Sequence, residues 1–251
     1  MIPQKIPLKT DTMHKLVMAL TLMASPAGAG CIATAFEGTP ISYCEARAGD
    51  DLRLFLNGPD GLPYGGFSAI DAALAGKGQH LAFAMNAGMF APDQAPIGLY
   101  IEDGVQMHRV VTREGPGNFG MLPNGVFCVG EGFSVVESRA YAAHPPACRY
   151  ATQSGPMLVI DGALHPAFQA DSTSYHIRNG VGVSADGSRA WFAISDQSLT
   201  FDRFARFFRD VLGARDALYF DGSVSRLYAP ELGRSGTGFP VGPMVGLVEG
   251  N

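Results

Sequence analysis

From about residue 30 onward the chain alternates short apolar runs with Gly-containing turns, the pattern of a β-rich fold. Three turns are Asp-Gly, a pair that suits the two-residue hairpin turn because both central residues need positive φ. Residues 97–101, Asp103-Gly104 and 105–111 read as one hairpin. Residues 157–160, Asp161-Gly162 and 163–164 read as a second, and residues 181–184, Asp186-Gly187 and 190–194 as a third. Successive hairpins imply mainly antiparallel sheet.

Two segments switch to helical spacing. Residues 68–74 predict a short helix, with Ser68 as N-cap and Gly76 as stop. Residues 201–212 predict a stronger one, capped by Thr200 and ended by Gly213. On it Phe201, Phe204, Ala205, Phe208, Val211 and Leu212 share one face, while Asp202 and Arg206 pair at i,i+4 on the other. The Phe stripe reads as packing against a sheet. Strands and helices together predict an α+β fold, a single domain over residues 30–251 of mainly antiparallel β-sheet packed by a few helices.

Several apolar runs end in residues able to do chemistry. Residues 81–85 run into Asn86-Ala87-Gly88-Met89-Phe90, a turn of small residues where backbone N–H groups can approach a ligand and Asn86 offers both donor and acceptor. Asn118 precedes a Gly and could reach a sugar hydroxyl. Ser154-Gly155-Pro156 enters an apolar strand, but outside the Gly-x-Ser-x-Gly arrangement of a nucleophile elbow, which argues against serine-hydrolase chemistry. Arg178-Asn179-Gly180 offers a planar fork that matches phosphate oxygens. The strand 217–220 delivers Asp221 at its end, followed by Ser223 and Ser225; Asp221-Gly222 also reads as one more hairpin turn. His165 and His176 lack metal-ligand spacing and read as structural or surface residues.

The N-terminus changes the picture from a domain to an exported one. Lys5, Lys9 and Lys15 precede an apolar stretch at 16–23 that is too short to span a membrane, and Ala27-Gly28-Ala29 is a small-x-small cleavage site. Residues 1–29 therefore read as a signal peptide, and the mature chain is expected to be periplasmic or secreted with no integral membrane span. Four cysteines in such a compartment permit two disulfides. Closeness in sequence favours Cys31–Cys44 and Cys128–Cys148; lipidation of Cys31 and free buried thiols are the alternatives. Hydrophobic residues make up 47% and charged residues 16%, enough apolar material for a sizeable core. A net charge of −5 without any Lys/Arg run argues against nucleic acid as a partner.

In chain order, Asn86-Ala87-Gly88-Met89-Phe90, Ser154-Gly155-Pro156, Arg178-Asn179-Gly180 and Asp221-Gly222-Ser223-Val224-Ser225 resemble the phosphodiester glycosidase family. That family's pattern is Asn-Gly-Gly-Phe-Phe, Gly-Pro before an apolar strand, an Arg ahead of a Gly, and Asp-Gly-Gly-Gly-Ser. The resemblance spans roughly residues 50–245 and is nearest to a bacterial, exported branch. Ala87, Met89, Ser223 and Val224 depart from it, the last two placing side chains where the family has bare backbone. The resemblance implies a hydrolase that cleaves a sugar-1-phosphodiester, with a small-molecule or glycan sugar-phosphate as partner. Catalytic roles fall to Asp221, Arg178 and Asn86, and substrate binding to Gly88, Asn118, Ser154, Gly155, Asn179, Ser223 and Ser225. Glu102 and Asp196 are secondary carboxylate candidates. A divalent metal ion is compatible with this chemistry, although no spacing demands one. The altered glycines and sparse carboxylates leave open a non-catalytic carbohydrate-binding or envelope-assembly protein of the same fold.

Overall fold

The computed structural model of the chain describes Met1 and residues 30–250; apart from Met1, the segment read as a signal peptide lies outside the described residues. In chain order the elements begin with β1 (Cys31–Phe36), β2 (Thr39–Arg47), β3 (Leu52–Phe55), α1 (Phe67–Ala75) and β4 (Gln79–Asn86). There follow β5 (Tyr100–Glu102), β6 (Val105–His108), β7 (Gly125–Val129), β8 (Phe133–Glu137), α2 (Ser138–Ala143) and β9 (Tyr150–Ser154). Then come β10 (Met157–Ile160), β11 (Ala163–Leu164), β12 (Asn179–Val183), β13 (Arg189–Ser195) and α3 (Phe201–Arg206). The chain closes with β14 (Asp216–Asp221), β15 (Leu227–Ala229), β16 (Arg234–Ser235) and β17 (Met244–Gly250).

The strands form three sheets, with strand orders β1-β2-β13-β12-β14-β10-β11, β16-β15-β4-β17-β3 and β6-β5-β9-β7-β8. Each of their strand pairs is antiparallel, so the architecture is the expected α+β with sheet predominating. Side chains alternate across each strand, and one face of every sheet turns to a common core. Phe83 and Met85 from the second sheet, Phe127 and Tyr150 from the third, and Phe192, Leu218 and Phe220 from the first all meet there. The opposite faces are covered one helix each. Phe204, Phe207 and Phe208 pack on Trp191, Ala193, Ala217 and Tyr219 of the first sheet. Phe67, Ile70 and Leu74 of α1 pack on Leu81, Met244 and Val248. Tyr141 of α2 packs on Ile101, Val126 and Ala151.

Two of the three expected Asp-Gly turns have both residues at positive φ, Asp103 (49°) with Gly104 (79°) and Asp161 (49°) with Gly162 (78°). The third differs. Only Gly187 is at positive φ, and the Asp186 carboxylate instead accepts hydrogen bonds from the Ser188 N–H and the Ser184 and Ser188 hydroxyls, closing a longer loop. Helix α1 starts at Phe67 with Gly66 as N-cap, not at Ser68. Phe67, Ile70 and Leu74 form one buried stripe, and burying Phe67 outweighs the roughly 1 kcal/mol that a serine cap offers.

Thr200 caps α3 as expected, accepting from the Arg203 N–H, and Arg206 meets Asp202 at 2.9 Å. The rest of that helix departs from the α pattern. Residues Phe207–Val211 form a π-helical turn, closed by the Leu212 N–H on the Phe207 carbonyl. The wider turn shifts the buried face: Phe207 becomes fully buried, while Val211 is 51% exposed. Both cysteine pairs form as preferred from their spacing, Cys31–Cys44 between directly opposed residues of β1 and β2, and Cys128–Cys148. The first disulfide occupies the sulfur that a lipid thioether at Cys31 would require. Among the described residues no helix is long and apolar enough to cross a membrane.

The π turn makes a direct prediction. Phe207→Ala should cost about 3–5 kcal/mol in urea unfolding, as for other buried Phe truncations. Val211→Ala should stay within about 0.5 kcal/mol. A straight α-helix would instead make Val211 the costlier of the two.

Candidate active site

The three sheets meet at one polar point. At the end of β4, the Asn86 side chain accepts hydrogen bonds through Oδ1 from the Arg226 N–H (2.8 Å) and from Asn179 Nδ2 (2.8 Å); Nδ2 of Asn179 also reaches the Asn86 carbonyl at 3.0 Å. Asn179, at the start of β12, accepts through its own Oδ1 from the Asp221 N–H at 3.0 Å. A backbone N–H can only donate, so Arg226 and Asp221 fix which end of each amide is oxygen. The third sheet joins through β9. Thr152 and Ser154 point inward with Tyr150, and their hydroxyls donate to the carbonyls of Ala87 (2.6 Å) and Phe220 (2.7 Å). Each pair of sheets is thus tied by a buried side-chain bond. Asn86 Nδ2 remains a buried donor without a partner.

Close approach at this junction explains two glycines. Gly88 has φ +149°, and a Cβ there would sit 3.0 Å from Thr152 Oγ1. A Cβ on Gly155 would sit 2.5 Å from Asn124 Cβ. Both serve packing of the junction. Ala87 has its side chain in the common core, and its N–H donates to the Pro243 carbonyl.

Asp221 ends β14 at the same point, 8% exposed. Its Oδ1 accepts from the Ser223 N–H at 2.8 Å, and the Ser225 hydroxyl donates to its carbonyl at 2.6 Å. Burial pushes the Asp221 carboxyl above the ordinary Asp range, against backbone N–H groups of the following loop that pull it down. Val224 packs against the α1 cluster and also lines the adjoining cavity.

Arg178 is fully buried rather than presented as an open fork. Nε donates to the Leu199 carbonyl and Nη2 to the Ser174 carbonyl, both at 2.9 Å, and the guanidinium lies 3.5 Å from the Phe201 ring centroid. Among the described residues no carboxylate pairs with it, and Nη1 has no well-aligned hydrogen-bond partner, the Tyr219 hydroxyl being its polar neighbour. Next to it stands Tyr219, whose buried hydroxyl also lacks a partner of good geometry. Burial pushes that phenol up to about 12; the Arg178 charge opposes this and the Asp221 charge adds to it. The phenol therefore lies within the influence of both the cation and the carboxylate. Sequence reasoning passed over Tyr219, although alternation along β14 puts it on the buried helix-covered face, where a hydroxyl is out of place.

Two depressions flank this core. The larger, about 410 Å³, is lined by Gly222 to Arg226, by residues 175–177 and by 237–239. The smaller, about 170 Å³, is lined by Asn118, Phe168, Ser174 and Phe201 among others. Asn118 thus faces the Phe201 side, while Ser223 and Ser225 line the other cavity. The secondary carboxylates are engaged elsewhere: Glu102 accepts from the Tyr100 hydroxyl at 2.7 Å, and Asp196 is paired with Arg234. His165 is buried and stacked on Phe168 at 4.8 Å, whereas His176 bridges to Leu199 at the cavity wall. Among the described residues no group of three or more His, Cys, Asp or Glu is placed to hold a metal ion.

Comparison with known proteins places this geometry. The model of the phosphodiester glycosidase family matches residues 79–247, a span that contains the whole junction. The Escherichia coli protein YigE, itself uncharacterized, is 32% identical over 222 residues, covering 87% of this chain and 86% of its own. Among solved structures, the catalytic domain of zebrafish N-acetylglucosamine-1-phosphodiester alpha-N-acetylglucosaminidase superposes with a TM-score of 0.59 at 14% identity, over 90% of this chain and 84% of that one. A protein of Burkholderia pseudomallei superposes with a TM-score of 0.55 at 13% identity, over 83% and 74% of the two chains.

A Cβ on Gly222 would overlap the Tyr219 hydroxyl. Gly222→Ala alone should therefore destabilise the protein by about 1–3 kcal/mol, the usual cost of overpacking. Adding Tyr219→Phe should recover most of that loss in a double-mutant cycle, because the hydroxyl is the obstacle. Additive losses would mean that the two residues do not meet.

Proposed function

The chain belongs to the phosphodiester glycosidase family, and from that premise we propose that it is an exported hydrolase that cleaves a sugar-1-phosphodiester to a free sugar and a phosphomonoester. The observation that carries this reading is Arg178: a fully buried guanidinium with no carboxylate partner among the described residues, whose Nη1 meets only the neighbouring Tyr219 hydroxyl, and that without good alignment. An uncompensated buried cation is costly, and a bound anion relieves that cost. Export is supported by the two disulfides and by the signal-like segment at 1–29.

The chemistry follows from the leaving group. A phosphomonoester departs as a stabilised anion, so the C1–O bond can break without a strong general acid. The electron pair goes to the phosphate oxygen, where the positive potential of Arg178 Nη1, with the Tyr219 hydroxyl as second donor, supports the developing charge. Water forms the new bond to C1 and its proton passes to the Asp221 carboxylate, which also favours the oxocarbenium-like transition state. The free Nδ2 of Asn86 and the side chain of Asn118 are left to orient substrate.

A second reading has its own observation. Oδ1 of Asp221 is already held by the Ser223 N–H, as in a purely structural turn, and among the described residues no second carboxylate contributes to its shift. A non-catalytic carbohydrate-binding protein of this fold would look the same there.

Asp221→Asn separates the two. Asn can still accept from the Ser223 N–H, so the loop should hold. On the catalytic reading kcat/KM on the methyl phosphodiesters of glucose, galactose, mannose or N-acetylglucosamine falls by at least about 100-fold. In the wild type, activity should appear as pH rises through the Asp221 pKa, so the acid limb lies above the ordinary Asp value of about 3.9. The stability sign is opposite. A carboxyl whose folded pKa is raised favours the native state below its unfolded pKa, and that contribution is lost as pH rises through the folded value. Asp221→Asn should therefore raise the unfolding midpoint at neutral pH. Absence of wild-type turnover on every phosphodiester of the panel would favour the binding protein.

A further inference from the structure

We propose that the 410 Å³ cavity beside Asp221 is a subsite for a neutral pyranose ring, gripped between Tyr175 and Phe239. This deepens the phosphodiesterase reading above and rests on it for the identity of the attached phosphate. The two rings are 56% and 81% exposed, large apolar surfaces held in water at the rim of one cavity. Between them the lining is hydroxyl-rich, with Ser198, Ser223, Ser225 and Thr237, and it holds no carboxylate. Apolar faces above hydroxyl donors and acceptors match a sugar, whose ring presents C–H groups on its faces and hydroxyls around its edge.

The rim is built rather than loose, and an arginine supports each side, Arg178 fully buried and Arg226 partly so. Arg178 Nη2 donates to the Ser174 carbonyl, fixing the residue before Tyr175. Arg226 donates to the carbonyls of Gly236 and Phe239, and lies over the Phe67 ring at 5.2 Å. Gly238 has φ +152°, and a Cβ there would lie 3.5 Å from Arg226 Cδ, so the 237–239 loop rests directly on that side chain. Both guanidinium groups spend donors on loop carbonyls, Arg226 from the cavity wall itself, so the hydroxyls of the lining are the groups left to meet a ring. Its floor is the Gly222–Ser225 loop, so a ring seated there adjoins Asp221.

The test is binding of phosphate-free methyl pyranosides of glucose, galactose, mannose and N-acetylglucosamine to the mature chain, by saturation-transfer NMR. Adenosine and anionic phospholipid vesicles are the comparison ligands. At least one pyranoside should bind, and Tyr175→Ala and Phe239→Ala should each weaken it at least fivefold. Both aromatic side chains are exposed, so unfolding midpoints near wild type are expected and are measured alongside. The subsite is overturned if no pyranoside binds, if both alanine variants bind as the wild type does, or if adenosine or vesicles bind in place of sugars. Pyranoside binding without turnover of any phosphodiester would sink the hydrolase and keep the subsite. Turnover with KM unmoved by both variants would do the reverse.

Discussion

Three sheets that share one core must meet somewhere, and where they meet their strand ends bring buried backbone polar groups together. Here three side-chain bonds satisfy those groups: Asn179 to Asn86, Ser154 to the Phe220 carbonyl, and Thr152 to the Ala87 carbonyl. An unsatisfied buried amide or carbonyl costs about 1–3 kcal/mol, so this junction is under strong constraint. The same bonds set the position of Asp221, whose N–H is held by Asn179, and of Arg226, whose N–H is held by Asn86. The candidate site therefore sits where the sheets are joined, and the hydrogen bonds of Asn86, Asn179 and Ser154 position the backbone around it.

What distinguishes the junction from ordinary packing is its charge. A buried cation and a buried carboxylate occupy the same region without forming an ion pair. If Arg178 and Asp221 were paired, the attraction would hold the carboxyl low; burial instead pushes it up. Tyr219 stands under the influence of both charges, its hydroxyl near Arg178 and Asn118 but without a well-aligned partner. Two separated buried charges of opposite sign are the physical ground for the proposed ligand, anionic at one end and electrophilic beside it.

Much of the fold was legible because periodicity and turn chemistry are local. The Asp103-Gly104 and Asp161-Gly162 hairpins, the Thr200 cap and both cysteine pairs were read from neighbouring residues. The failures came where tertiary packing overrode a local rule. Burying Phe67 moved the start of α1, and fitting Phe207 against the first sheet opened a π turn that no α-helical wheel anticipates. At the site, chain order located Asn86, Ser154, Arg178 and Asp221, yet it could not say which side chains face a ligand. Gly88 and Gly155 stand where a Cβ would crowd Thr152 and Asn124, and Arg178 is buried. Tyr219 and Thr152 were invisible because their importance depends on contacts between strands far apart in sequence.

The central claim is that the junction creates an anion site beside Asp221. Its most direct test is thermal unfolding of Asp221→Asn, which should not consume substrate, at increasing concentrations of a methyl hexosyl-1-phosphate and of the matching phosphate-free methyl hexoside. Ligand that binds only the native state raises the midpoint by mass action. The phosphodiester should raise it well beyond the neutral glycoside, and more so at low salt. Equal shifts for the two ligands would contradict an anion site at Arg178 and Tyr219.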